Sequence, residues 1–263
     1  MRDRDVPLDE EGFTRFMAER FKQALPDYRI TIAGPLTLKV VDEDGEESIR
    51  NLERALDFCR HKNDGCAEWL DSYVENARAG YKDIEKPIDR GMLRPVVRRK
   101  DYIERLGEEY TKEMVVEPLT NDLVAVCYVD MPTAMRSAVA RDFKALGLSQ
   151  GEAMAQARAN LAAGIADFEA SFEHTGDDIG VIGGDVYISS WLALPDAWRR
   201  TVALFDGKLI VSVPAFDVLL YMHDTGSDAV EALREAAEDE ADNAEWPLST
   251  TVYRWTPQGW RQA

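Results

Sequence analysis

Helix-like and strand-like stretches do not alternate one for one along this chain, which excludes a parallel sheet built from strand–helix–strand crossovers. The chain reads instead as an α+β fold: a helix-strand-strand-helix-helix N-terminal part, then a larger mixed α/β part with a mainly antiparallel sheet. The first helix is expected from Asp9 to Leu25, because Phe13, Phe16, Met17, Phe21 and Ala24 recur at spacings of three and four. Tyr28–Ile32 and Leu36–Val41 read as strands around a Gly34-Pro35 turn. The charged run from Asp42 to Glu47 reads as a turn leading into a helix with Leu52, Ala55, Leu56 and Cys59 on its apolar face. Asn63-Asp64-Gly65 is expected to break that helix, and Cys66, Trp69, Leu70, Tyr73, Val74 and Ala77 stripe the next.

Beyond Lys86-Pro87, Leu93–Arg98 reads as a short strand with its proline at the start or on an edge. Asp101–Glu109 reads as a helical turn or two, and Met114–Leu119 as a connection. Domains are expected at 1–112 and 113–263, with a soft boundary near 107–118. The second part opens on the strand Leu123–Val129. A helix is expected from Pro132 to Leu146, stopped by Gly147, and Ser149 with Glu152 forms a capping box for another. Phe168–His174 alternates like a strand, Gly176-Asp177-Asp178 turns, and Ile179–Ile182 returns. Val186–Leu194 fits either strand or helix, helix being preferred, and the segment starting at Pro195 reads as helix. Leu209–Val213 and Val218–Met222 are strands, Ser227 starts a helix to about Asn243, and the chain closes in a hairpin whose Trp255 and Trp260 pair across strands.

Composition narrows the function classes. With 31 basic and 49 acidic residues the formal charge is 31 − 49 = −18, which repels polyanions, so neither nucleic acid nor an anionic membrane surface is expected as a partner. No apolar stretch near the N-terminus resembles a secretory signal and no run reaches membrane-span length, so a soluble cytoplasmic protein is expected. The odd count of cysteines (Cys59, Cys66 and Cys127) fits a reducing compartment. Cys59 and Cys66 on one continuous helix would lie about 10.5 Å apart, too far for one zinc shell or a disulfide. A break at Gly65 would leave the geometry open but the ligands scarce, so core thiols are expected, with no metal and no cofactor.

Catalytic signals are sparse. There is no nucleophile elbow, Walker loop or dinucleotide fingerprint. His61, His174 and His223 are the histidines, and His223-Asp224 is a base-and-orienter pair only in outline. Gly183-Gly184-Asp185 compares with phosphate loops, yet a tight turn explains the glycines equally well. The basic cluster Arg90, Arg94, Arg98, Arg99 and Lys100 offers an anion site or, more simply, neutralises acidic helices of its own fold.

Three segments together resemble a bacterial family of unknown function, the YtpQ-like proteins. They are Arg94-Pro95-Val96-Val97-Arg98, Gly183-Gly184-Asp185 with Ser189, and Val211-Ser212-Val213-Pro214-Ala215-Phe216-Asp217-Val218-Leu219. Tyr187 and Phe216 stand where that family pattern carries Glu and often Arg. The resemblance implies a cytoplasmic bacterial protein, brings no reaction with it, and marks Arg98, Asn160, Gly183, Gly184, Ser189 and Asp217. Asp217, between apolar strands, is expected to need a partner, with Arg98 first and Arg136 in reserve. The expected function is a non-catalytic binding or adaptor protein with a protein partner, its N-terminal part loosely similar to secretion-chaperone-like domains. The alternative is a metal-independent hydrolase or phosphate-ligand-binding enzyme near Gly183, Gly184 and Asp217.

Overall fold

The computed structural model describes residues 5–43, 45, 47–61, 65–84, 87–132, 134–172 and 178–263. Two compact units emerge: Met1–Pro87 with Met131–Ala134, and Ile88–Asp130 with Met135–Ala263.

In the first unit, α1 (Glu10–Ala24) starts where the Asp9 carboxylate accepts the Gly12 N–H at 2.7 Å, and it buries Phe13, Met17 and Phe21. An antiparallel sheet follows: β1 (Arg29–Gly34), β2 (Thr37–Val41) and β3 (Glu47–Asn51), in that spatial order. The third strand corrects the expected helix lead-in. Glu47–Asn51 pairs residue for residue with Val41–Thr37, and its Arg50 side chain lies among rings, 6.0 Å from the Phe21 centroid and 5.5 Å from that of Tyr81. α2 (Glu53–His61) and α3 (Cys66–Ile84) complete the unit, with Leu38, Leu52, Leu56 and Leu70 fully buried.

The expectation of separate core thiols is overturned: Cys59 and Cys66 form a disulfide, with Cα atoms 5.0 Å apart. The chain does not run through as one helix. α2 ends at His61 and Gly65, at φ +90°, adopts a conformation that favours glycine just before α3. The remainder of the expected break, Asn63-Asp64, lies outside the described residues, as do Asp44, Glu46 and Lys86. With two of three cysteines bonded, cysteine count no longer argues for a reducing compartment. Among the described residues no helix is long and apolar enough to cross a membrane.

The second unit holds two sheets. In the first, β4 (Leu93–Arg99) is followed by α4 (Lys100–Leu106), α5 (Glu108–Thr111), β5 (Val116–Pro118), β6 (Leu123–Asp130) and β7 (Met135–Ser137). The order is β4-β6-β5, with β7 also pairing β6. Because β4 pairs with β6 along its whole length, a boundary at 112/113 would cut this sheet, and the division falls near residue 87 instead. Met114–Leu119 is likewise more than a connection, since Val116–Pro118 adds a strand to β6.

The expected Pro132–Leu146 helix is confined to α6 (Ala140–Leu146), because Met135–Ser137 is recruited as β7; Thr133 lies outside the described residues. α7 (Gln150–Gly164) carries the expected capping box at Ser149 and Glu152. Phe168–Phe172 is no strand but a 3-10 turn, Glu169–Ser171, that folds Phe168 and Phe172 against Trp198 with ring centroids 5.2 Å away in each case. His174 and the Gly176-Asp177 part of the expected turn lie outside the described residues.

β8 (Gly180–Gly183), a 3-10 helix at Ile188–Ala193 where an α-helix was expected, α8 (Pro195–Leu204), β9 (Leu209–Ala215), β10 (Val218–His223), α9 (Ser227–Asn243), β11 (Pro247–Thr256) and β12 (Gly259–Gln262) follow. The second sheet runs β12-β11-β9-β10-β8, antiparallel throughout. Trp255 and Trp260 face each other across β11 and β12, edge to face at 5.0 Å.

Candidate functional site

The three segments singled out in the sequence meet in the second unit. β4 is an edge strand, so Pro95, which has no N–H to donate, sits where a central strand would not tolerate it. Val97 on the same strand donates its N–H to Ser190 Oγ at 3.2 Å. The Asn160 amide, on α7, donates to the carbonyls of Arg90 (2.6 Å) and Leu93 (2.9 Å) and accepts from Gln156 at 2.8 Å.

The other two segments are tied to each other. Ser189 N–H donates to the Phe216 carbonyl at 3.0 Å and Gly184 N–H to that of Asp217 at 3.3 Å. Gly184 has φ +98°, and a Cβ at Gly183 would stand 3.3 Å from the Asp217 carbonyl, so the glycine pair serves a tight turn against the β9–β10 corner. The Asp185 carboxylate closes that turn by accepting the Tyr187 N–H at 2.7 Å. Ser189 is fully buried, and its hydroxyl makes no hydrogen bond among the described residues.

Arg98 reaches the same corner, but not Asp217. Its guanidinium lies over Phe216 (4.5 Å) and Tyr128 (4.8 Å), and its Nε donates to the Tyr128 hydroxyl at 3.2 Å. The reserve partner, Arg136, makes a bidentate pair with the buried Asp142 at 2.6 and 2.7 Å. Asp217 is a half-buried turn residue without an ion pair among the described residues. Aromatic stacking thus replaces the expected charge pair at Arg98.

The rest of the basic cluster has internal partners. Arg90 donates to the Leu146 carbonyl at the end of α6 (2.8 Å), Arg99 pairs with Asp101 (2.7 Å) and Lys100 with Glu104 (3.7 Å).

Beside these segments a groove of about 590 Å³ opens at the start of β4. Arg94, Asp130, Asp167, Asp185, Tyr187 and Trp191 line it, together with Asn160. One guanidinium against three carboxylates gives 1 − 3 = −2. Arg94 Nε and Asp130 are 4.0 Å apart, and Arg94 also donates to the carbonyls of Gly91 (2.5 Å) and Leu93 (2.9 Å). Burial, and secondarily the negative charge of Asp130, raises the Tyr187 phenol above its ordinary pKa, so it is neutral at physiological pH. Of the groove residues, the sequence singles out Asn160 through the resemblance, Arg94 in the basic cluster, Asp185 in the Gly183-Gly184-Asp185 segment and Tyr187 as a departure from the family pattern. Asp130, Asp167 and Trp191 carried no motif, because the groove is assembled from β4, β6, α7 and the 3-10 helix.

A second groove, of about 570 Å³, opens beside Asp122. That carboxylate accepts from the hydroxyls of Thr120 (2.8 Å), Ser249 (2.7 Å), Thr251 (3.2 Å) and Tyr253 (2.8 Å). Burial pushes its pKa up, the four hydroxyl donors pull it down, and the net result is below the ordinary carboxylate range. Among the described residues no group of three His, Cys, Asp or Glu side chains is placed to hold a metal ion. No protein-family model, curated protein or solved structure matches this chain.

Proposed function

We propose that this chain is a non-catalytic binding protein that takes a basic segment of a protein partner in the groove beside Tyr187 and Trp191. The observation that carries the reading is the lining of that groove: a net charge of −2 next to two aromatic rings. An ammonium or guanidinium group gains there from the carboxylates, with the partly exposed Tyr187 beside them. The formal charge of −18 steers such a partner inward and repels nucleic acid. The three segments that carry the resemblance to YtpQ-like proteins support the reading in a structural way. Arg98 on Phe216 ties the β9–β10 corner to β4, Gly184 N–H on the Asp217 carbonyl ties it to the glycine turn, and Ser189 N–H on the Phe216 carbonyl ties it to the 3-10 helix, which supports the segment that carries Tyr187. The enzyme alternative near Gly183, Gly184 and Asp217 is less favoured, because Gly184 N–H already donates to a carbonyl and Ser189 is sealed from solvent.

The test is titration with a fluorescein-labelled hexa-arginine peptide at physiological salt. Asp130→Asn with Asp185→Asn should weaken binding about tenfold, which corresponds to about 1.4 kcal/mol. Glu231→Gln with Glu235→Gln removes the same charge from α9 and should weaken it less than about twofold, since separated surface charges are screened. Equal weakening in the two variants would reduce the effect to net charge and sink the proposal.

A further inference from the structure

The Cys59–Cys66 disulfide is a feature that the binding reading does not use. It joins the last turn of α2 to the first residue of α3, and both cysteines are buried. α2 has only nine residues, below the roughly 12–15 that an isolated helix needs, so its order comes from what holds it to its neighbours. Among the described residues, two contacts join its C-terminal end to α3. One is the disulfide. The other is a stack of rings beside it: Phe58 lies 4.3 Å from Trp69 at 18°, and Trp69 lies 5.3 Å from Tyr73 at 17°. Phe58, Trp69 and Tyr73 are each partly exposed, so the stack sits at the surface of the unit.

We propose that the Cys59–Cys66 bond is a reversible redox latch, which a dithiol reductant opens to free the last turn of α2 from α3 while the three-stranded sheet and α1 stay folded. One thiolate of the reductant attacks a sulfur of the bond, forming a mixed disulfide and releasing the other cysteine as a thiolate that takes up a proton. The second thiol of the reductant then displaces the remaining cysteine and closes its own disulfide. Two electrons and two protons pass to Cys59 and Cys66, and the reductant is oxidised. The remaining cysteine, Cys127, does not compete. It belongs to the other unit and is buried there, and burial pushes its thiol up to about 12, so it holds almost no thiolate at neutral pH.

The experiment is hydrogen exchange by mass spectrometry on the full chain, before and after dithiothreitol and again after oxidised glutathione, with thiols counted at each stage. Closing a loop of this length in the unfolded ensemble is worth roughly 60-fold in the opening equilibrium. Reduction should therefore speed exchange in the last turn of α2 by about 10- to 60-fold, leave α1 and β1–β3 protected, and reverse on reoxidation. The Cys127→Ser variant should behave like the parent. Three results would overturn the latch: a bond that resists excess dithiothreitol in the folded protein, unchanged exchange in α2 after two thiols have appeared, or loss of protection across the whole unit. The last would make the bond a structural staple. Reducing the parent chain keeps the test valid even if Cys59→Ser fails to fold.

Discussion

Replacing Asp122 by Asn should destabilise the second unit in a way that depends on pH. Four hydroxyls from two separate stretches, Thr120 and the Ser249–Tyr253 stretch of β11, converge on this one carboxylate. Tyr253 is fully buried and Ser249 nearly so, so their hydroxyls have little water to fall back on. Hydrogen bonds to a charged group contribute roughly 1.5–3 kcal/mol each, but bonds sharing one acceptor do not add. Asn retains one acceptor oxygen and turns a donor toward hydroxyls, while Tyr253 and Ser249 can still bond to each other at 2.8 Å. The expected loss is about 2–4 kcal/mol at neutral pH. The folded pKa of Asp122 lies below its unfolded value of about 3.9, so its contribution is fully present above that value and is lost as pH falls through the folded one. Urea denaturation followed by tryptophan emission checks this, because every tryptophan but Trp69 belongs to this unit. The gap between parent and variant should narrow steadily below about pH 4. A gap under about 0.5 kcal/mol, or one that does not change with pH, would refute the account of the carboxylate as a charged hub.

Three further outcomes follow from the packing. Trp255→Ala should lower the melting temperature, removing a ring pair worth about 0.5–1.5 kcal/mol beyond burial; an unchanged melt would show that the pair contributes nothing. Asp217→Ala should cost no more than about 0.5–1 kcal/mol and add to Arg98→Ala in a double-mutant cycle, since the two are not paired; coupling above about 1 kcal/mol would restore the ion pair. Arg136→Ala should cost about 3–5 kcal/mol by urea denaturation, because it strands a carboxylate whose side chain is only 6% exposed; a loss below about 1 kcal/mol would count against this.

Sequence periodicity located most of the helices and the long strands, because Phe13-Met17-Phe21 and Leu123–Val129 bury their faces without help from unusual neighbours. It failed where tertiary contact decides. Glu47–Asn51 has a polar strand pattern and becomes a strand only because β2 offers an edge. Phe168 and Phe172 looked alternate, yet a ring cluster around Trp198 draws both inward from a 3-10 turn. The disulfide is not legible from residue spacing, because it depends on where α2 stops. At the site, the sequence leads to an expected Arg98–Asp217 pair, and the chemistry differs: Phe216, next to Asp217, takes the arginine. The groove carboxylates are spread over β6, the turn after α7 and the turn after β8, and no local pattern joins them.

The way β4 ends its sheet bears on how the protein behaves at high concentration. A bare edge strand is a template onto which a second copy can add, strand by strand. Here the outward side of β4 presents a proline in place of a donor at Pro95, a donor already taken by Ser190 at Val97, and a carbonyl already held by Asn160 at Leu93. Little is left on that side for an incoming strand to zip onto. Asn160 and Ser190 thus close this sheet edge to strand addition as well as fixing local geometry.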